Sequence, residues 1–189
     1  PNMPVAIEAT DLMHKTFENL YLGDDINNIS AIKAVALYDE FRELTPAGEK
    51  GDELIRRLAD RMVSVELFER AEELLEHQVD FRLDGVEKAR VGARLGLVYL
   101  LDSKPEQTIS VIEKTEEAGI SEELDTQRRH LKARALLDVD RGAEAISSLE
   151  GDFSKNAELL RVDYYRGTRD FLSAAETFQR LVGGDQGDV

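Results

Sequence analysis

Residues 58–75 read Leu58-Ala59-Asp60-Arg61-Met62-Val63-Ser64-Val65-Glu66-Leu67-Phe68-Glu69-Arg70-Ala71-Glu72-Glu73-Leu74-Leu75, and their spacing returns twice further along the chain. Ala59 is followed by Gly96 and Ala133, Met62 by Tyr99 and Leu136, Ala71 by Thr108 and Ala145, and Leu75 by Ile112 and Leu149. Every step is 37 residues. A fixed period of about 20–50 residues marks a solenoid, in which each unit buries its apolar face against its neighbours.

Outward from that stretch, apolar residues keep helical spacing and no segment alternates with period two. Ala9, Leu12, Met13, Phe17, Leu20 and Tyr21 form one stripe, stopped near Gly23 and succeeded by the polar residues 24–30. Asn28 or Ser30 can cap a second helix that bears Ala34, Tyr38 and Phe41 and ends before Pro46. Thr45 to Gly51, with one proline and two glycines, is the expected hinge. A further helix then runs from about Glu66 to Leu83. Asp84-Gly85, the turn 102–105, Gly119 and Gly151 punctuate the rest of the chain. Asp102 or Ser103 is expected to cap the helix that begins at Pro105, and Ser121 the one after Gly119. The pattern predicts ten helices in five hairpins. Three segments result: a divergent hairpin and hinge over 1–51, repeats over 52–182, and a disordered tail over 183–189.

Composition agrees with helices. Of the 189 residues, 33% are charged and 6% aromatic, with no Trp and four Pro, a mix that suits helices better than sheets. The net charge of −15 argues against nucleic acid or anionic lipid as a partner. No cysteine is present, so disulfides and thiolate metal sites are excluded. Cysteine usage leaves the compartment open between cytoplasm, which we favour, and periplasm. No apolar run approaches the roughly 18–20 residues of a membrane span, and the N-terminus carries no signal-peptide pattern. The chain begins at Pro1 rather than Met, as an excerpt of a longer protein would.

The small, aromatic and alanine slots, in that order, resemble the tetratricopeptide repeat, whose usual period is 34 residues. Leu58-Ala59 through Phe68-Glu69-Arg70-Ala71 with Leu75 carries the likeness, as does Leu95-Gly96 through Tyr99. A fourth unit matches at Tyr165, Asp170-Phe171, Ala174 and Phe178, only 29 residues beyond the third. The resemblance implies a right-handed all-α superhelix of about five hairpins that binds a peptide or protein in its concave groove. It also extends to the C-terminal part of large uncharacterised repeat proteins of alphaproteobacteria, which offers no activity to carry over. Lys132 and Arg161 stand where the family has apolar residues, so the third and fourth first-helices are expected to be rotated or less buried. The carboxylate-clamp variant of the family is not matched, since Asp60 stands where an Asn would be.

Catalytic and cofactor patterns are missing from the sequence. His14, His77 and His130 fall in different hairpins without Glu-x-x-His or His-x-x-x-His spacing, and no nucleophile elbow or phosphate loop occurs. The expectation is a non-catalytic module with no metal or cofactor. The sharpest feature is charge segregation. First helices of successive hairpins carry Arg57 and Arg61, then Arg90 and Arg94, then Arg129 and Lys132, while their partner helices are rich in Glu. The resemblance puts those six cations in the groove, where they would hold an acidic or extended segment; the plainer alternative pairs them with nearby carboxylates. Phe171, Phe178 and Leu181 give the last helix more apolar surface than one partner helix covers. That face is expected to dock on a second copy, forming a homodimer, or to fold back on the first hairpin. Self-association as an assembly module is therefore the rival to peptide binding.

Overall fold

The computed structural model describes residues 3–23, 26 and 28–184. Among these residues the chain is entirely helical, with no strand. Ten α-helices succeed one another: α1 (Met3–Leu22), α2 (Ala31–Phe41), α3 (Glu49–Ser64), α4 (Phe68–Phe81), α5 (Gly85–Leu101), α6 (Pro105–Lys114), α7 (Glu122–Asp138), α8 (Gly142–Ser148), α9 (Lys155–Gly167) and α10 (Phe171–Gly184). They fall into two compact units, Pro1–Leu83 and Asp84–Val189.

In the first unit α3 packs against α1, α2 and α4. Leu54, Leu58, Ala59, Met62, Ala71 and Leu75 meet in its core, every one of them buried. The Tyr21 hydroxyl donates to the Ala34 carbonyl at 2.6 Å and ties α1 to α2; burial, reinforced by Tyr38 and Asp39, pushes that hydroxyl above its ordinary pKa. The expected hinge is in part helical. Glu49 to Gly51 form the first turn of α3, so the anticipated boundary at residue 51 falls inside a helix. Gly51 is required there, because a Cβ would lie 1.9 Å from the Pro46 carbonyl oxygen. Buried Asp52 next to it takes hydrogen bonds from Arg82 Nε at 2.8 Å and Gln78 Nε2 at 3.3 Å.

In the second unit α6 packs on α5 and α7, α8 on α7, and α10 on α9, while α7 also touches α5 and α9. The slots at 37-residue intervals do what their sizes suggest. Ala133 and Ala145 are fully buried, as are Gly96 and Thr108, and the small side chains let paired helices approach closely.

The repeat is clearest in the backbone of the hairpin turns. Glu66, Ser103 and Asp140, again 37 apart, all have left-handed φ of 61°, 58° and 60°; Arg169, 29 residues later, has 63°. Around each, the helix ends in the same two hydrogen bonds. Leu67, Lys104, Arg141 and Asp170 N–H groups donate to the carbonyls of Met62, Tyr99, Leu136 and Tyr165 at 2.8–2.9 Å. The N–H groups of the left-handed residues donate to the carbonyls of Val63, Leu100, Leu137 and Arg166. This is the Schellman ending, which satisfies carbonyls a helix otherwise leaves open. Its use of Ser103 displaces the expected cap: the residue before α6 is Lys104, without a side-chain cap, and Asp102 instead pairs with Lys104 at 2.7 Å. Side-chain caps occur at Ser30 and Ser121, as anticipated, and at Ser154.

The fourth turn keeps the motif, so the shorter interval arises elsewhere. Helix α8 has 7 residues against 10 in α6, α9 has 13 against 17 in α7, and the connection between helices is one residue shorter. Arg161, where a less buried or rotated α9 is expected, is itself drawn into the core. It is buried, with Nη1 on Glu158 at 2.6 Å and Nη2 on the Leu149 carbonyl, and its guanidinium lies 5.9 Å from the Phe153 ring centre. Gly183 and Gly184 belong to α10, and residues 185–189 of the expected disordered tail lie outside the described residues.

Candidate functional site

The six cations singled out in the sequence are engaged within the chain. Arg57 Nε meets Glu53 at 2.8 Å and its Nη1 donates to the Leu22 carbonyl at 2.7 Å, while Arg61 donates to the Ile29 carbonyl. Both therefore tie α3 to the end of α1 and the segment after it. In the second unit Arg90 pairs with Glu87 at 2.9 Å, one turn back on its own helix. Arg129 pairs likewise with Asp125 at 3.0 Å, and Lys132 crosses to Glu113 of α6 at 2.8 Å. Arg94 is exposed and also has partners in the chain. Most of these pairs are half-exposed, where an ion pair contributes at most about 1 kcal/mol, so a ligand could displace them cheaply.

Arg128, which carried no distinct signal, is the most committed cation. It is buried with no carboxylate, and its guanidinium donates to four oxygens: the carbonyls of Ala89 (2.6 Å), Ile112 (2.6 Å) and Thr115 (2.9 Å), and the Thr115 hydroxyl (3.0 Å). Two of those carbonyls close the C-terminal end of α6, the negative pole of that helix. Desolvation lowers the pKa of Arg128, opposed by Asp125 and Glu116.

His130, Asp152 and Ser154 form a polar cluster of the residue types used in acyl transfer. His130 Nε2 lies 2.7 Å from Asp152 Oδ2 and 3.5 Å from the Ser154 hydroxyl. Both contacts fall on one ring nitrogen, whereas a relay needs the nucleophile and the orienting carboxylate on opposite nitrogens. The Ser154 hydroxyl also accepts the Ala157 N–H as the cap of α9. Burial alone would raise the Asp152 carboxyl, but hydrogen bonds from Ser154 and His130 outweigh it and hold the pKa at about 2. The cluster is a clamp on the turn before α9.

A concavity of the second unit lies between the α7–α8 turn and the α9–α10 turn, an open cleft of about 710 Å³. Arg134, Asp138 and Asp163 line one part of it; Arg134 bridges the two carboxylates, at 3.1 Å to Asp138 and 3.2 Å to Asp163. Tyr164 and Phe171 supply the aromatic part. Tyr164 rests against Gly142, where a Cβ would lie 2.4 Å from its ring.

Phe171 links this cleft to the outer face of α10. Phe171, Phe178 and Val182 are all exposed and, with Ala175, follow one stripe at spacings of four, three and four residues. Leu181 lies half-buried beside it. Within the second unit no described element covers Phe178. Among the described residues no helix is long and apolar enough to cross a membrane. Compared with known protein families, curated proteins and solved structures, the chain matches none.

Proposed function

We propose that this chain is a non-catalytic protein-interaction module, a right-handed superhelical array of tetratricopeptide type that holds a peptide or protein partner. The four identical hairpin turns and the buried small slots at fixed spacing support the array. The observation that carries the binding role is the continuous surface from the 710 Å³ cleft through Phe171 along α10. Exposed apolar surface next to a concavity is the usual mark of an interaction site. The cations of the expected groove support an acidic partner only where the partner replaces Glu53, Glu87, Asp125 or Glu113 as their counter-ion.

The same face supports a second reading, in which copies of the chain associate through Phe171, Phe178 and Leu181 and the array serves as an assembly module. A peptide-display selection on the full chain, repeated on the Phe171→Glu variant, separates the two. Enriched peptides that bind the parent and lose the variant are the expected result, with sedimentation showing a monomer. Peptides that bind parent and variant alike would move the site away from α10. A concentration-independent dimer that enriches nothing would favour assembly.

A further inference from the structure

The repeat register shows what the open face of α10 is shaped to receive. Ile112, Leu149 and Phe178 are equivalent, the first two 37 residues apart and the third 29 beyond, in step with the hairpin turns. Ile112 is 7% exposed and Leu149 0%, but Phe178 is 55% exposed. In the two buried cases the next helix supplies cover, though not from identical register positions. Helix α9 places Ala157 and Leu160 in the same core cluster as Leu149. An arginine of that next helix also donates to the slot's own carbonyl: Arg128 of α7 to Ile112 at 2.6 Å, and Arg161 of α9 to Leu149. At Leu149 small and leucine side chains share the slot's core, and in both cases a guanidinium closes the end of the preceding helix.

We infer that the α10 face, at Phe171, Phe178 and Val182, binds an amphipathic helix of a protein partner, bearing Ala or Gly against Phe178 and an arginine directed at the last turn of α10. This rests on the interaction-module reading and names the chemistry of the partner. The carbonyls of a helix's last turn have no partner within the helix and carry its negative pole, which attracts a cation. The surrounding chain, at net −15, adds to that attraction. A bulky Phe calls for a small residue opposite, since overpacking a contact forces side chains off their rotamers. A second copy fits less well. Its Arg128 and Arg161 are buried in their own cores, and Arg180, the single cation of α10, is held by Glu158 at 2.9 Å.

The test uses a labelled synthetic peptide with the sequence of residues 154–167, the helix that covers Leu149 together with its Ser154 cap. Anisotropy is measured against the full chain. Saturable binding is expected, weakened at least about tenfold by Phe178→Glu or Val182→Glu in the protein. It should also weaken roughly tenfold when the peptide residue corresponding to Arg161 is Ala. Both protein positions are exposed, and an unchanged urea midpoint confirms that the variants fold. Binding indifferent to both protein variants, or no binding, overturns the inference. So does sedimentation showing a parent dimer that Phe178→Glu dissociates, which would seat a second copy on the face. Peptides enriched on the parent by display would leave the interaction-module reading standing in each of those outcomes.

Discussion

The hydroxyl of Thr108 on α6 donates to the carbonyl of Gly96 on α5 at 2.9 Å, across the packed pair. A Cβ on Gly96 would lie 3.4 Å from Ile112 and Thr108 methyl groups, ordinary contact distance. Gly96→Ala should therefore fit and, by adding helix propensity, leave stability equal or higher by up to about 1 kcal/mol. Gly96→Leu has no such room and should cost about 3 kcal/mol, while exposed Glu116→Leu stays within about 0.5 kcal/mol. Urea midpoints decide it; equal midpoints for the two leucine variants would remove Gly96 from a helix crossing.

The four left-handed turn residues lead to the opposite sign. Glu66, Ser103, Asp140 and Arg169 occupy a conformation where a Cβ is unfavourable and where glycine is the common choice. Each single replacement by Gly should stabilise the fold by about 0.5–1 kcal/mol, net of the greater freedom glycine gives the unfolded chain. A fall in urea midpoint at Ser103→Gly would mean that its side chain contributes more than its backbone conformation costs.

The repeat was legible in the sequence because close helix crossings tolerate few side chains. That filter acts locally, so Ala59, Gly96 and Ala133 reveal the period without any knowledge of partners. The hairpin turn at Arg169 follows that at Asp140 by the same 29 residues that Ala174 follows Ala145, and the shorter interval comes from shorter helices and a connection one residue shorter, not from a changed turn. The features that stayed hidden depend on contacts remote in sequence. Nothing local distinguishes Arg128, buried on carbonyls of α6, from Arg129 beside it, paired on its own helix. Thr45 to Gly51 read as a hinge from its glycines and proline, and the sequence did not show that Gly51 admits the Pro46 carbonyl. The exposed stripe of α10 was legible because an apolar surplus is a sum over one helix.

Acid should expose the clamp before α9. The folded-state pKa of Asp152, about 2, lies below its ordinary 3.8, so the folded chain binds this proton less readily than the unfolded one. The contribution is fully present above the unfolded pKa and disappears as pH falls from about 4 through 2; it amounts to about 2 kcal/mol. Asp152→Asn should lower stability at neutral pH and flatten that part of the pH profile. An unchanged acid limb in denaturant titrations would show that the His130 and Ser154 contacts do not favour the carboxylate.

Gly142 should tolerate even one carbon poorly. Its absent Cβ is the space that the Tyr164 ring fills, and Gly142→Ala must push that half-buried ring toward the cleft. A loss of about 1–3 kcal/mol is expected. Tyr164→Ala in the same background should restore part of it, giving a non-additive double-mutant cycle. Strict additivity would mean that the two residues do not meet.

Arg128 gives the most severe single change. Its guanidinium satisfies oxygens from α5, the end of α6 and the Thr115 side chain at once, and it balances no carboxylate directly. Removing it as Arg128→Ala leaves buried carbonyls without partners and opens a cavity, a loss of about 3–5 kcal/mol. Lysine keeps the charge but cannot present a planar fork to several carbonyls, so Arg128→Lys should recover little. Arg129→Ala, one residue away and paired with Asp125 on the surface of its own helix, should cost less than about 1 kcal/mol. The contrast between neighbours is the measurement. Similar urea midpoints for Arg128→Ala and Arg129→Ala would mean that the α6 carbonyls are satisfied by water instead, and that the second unit does not depend on this arginine for its packing.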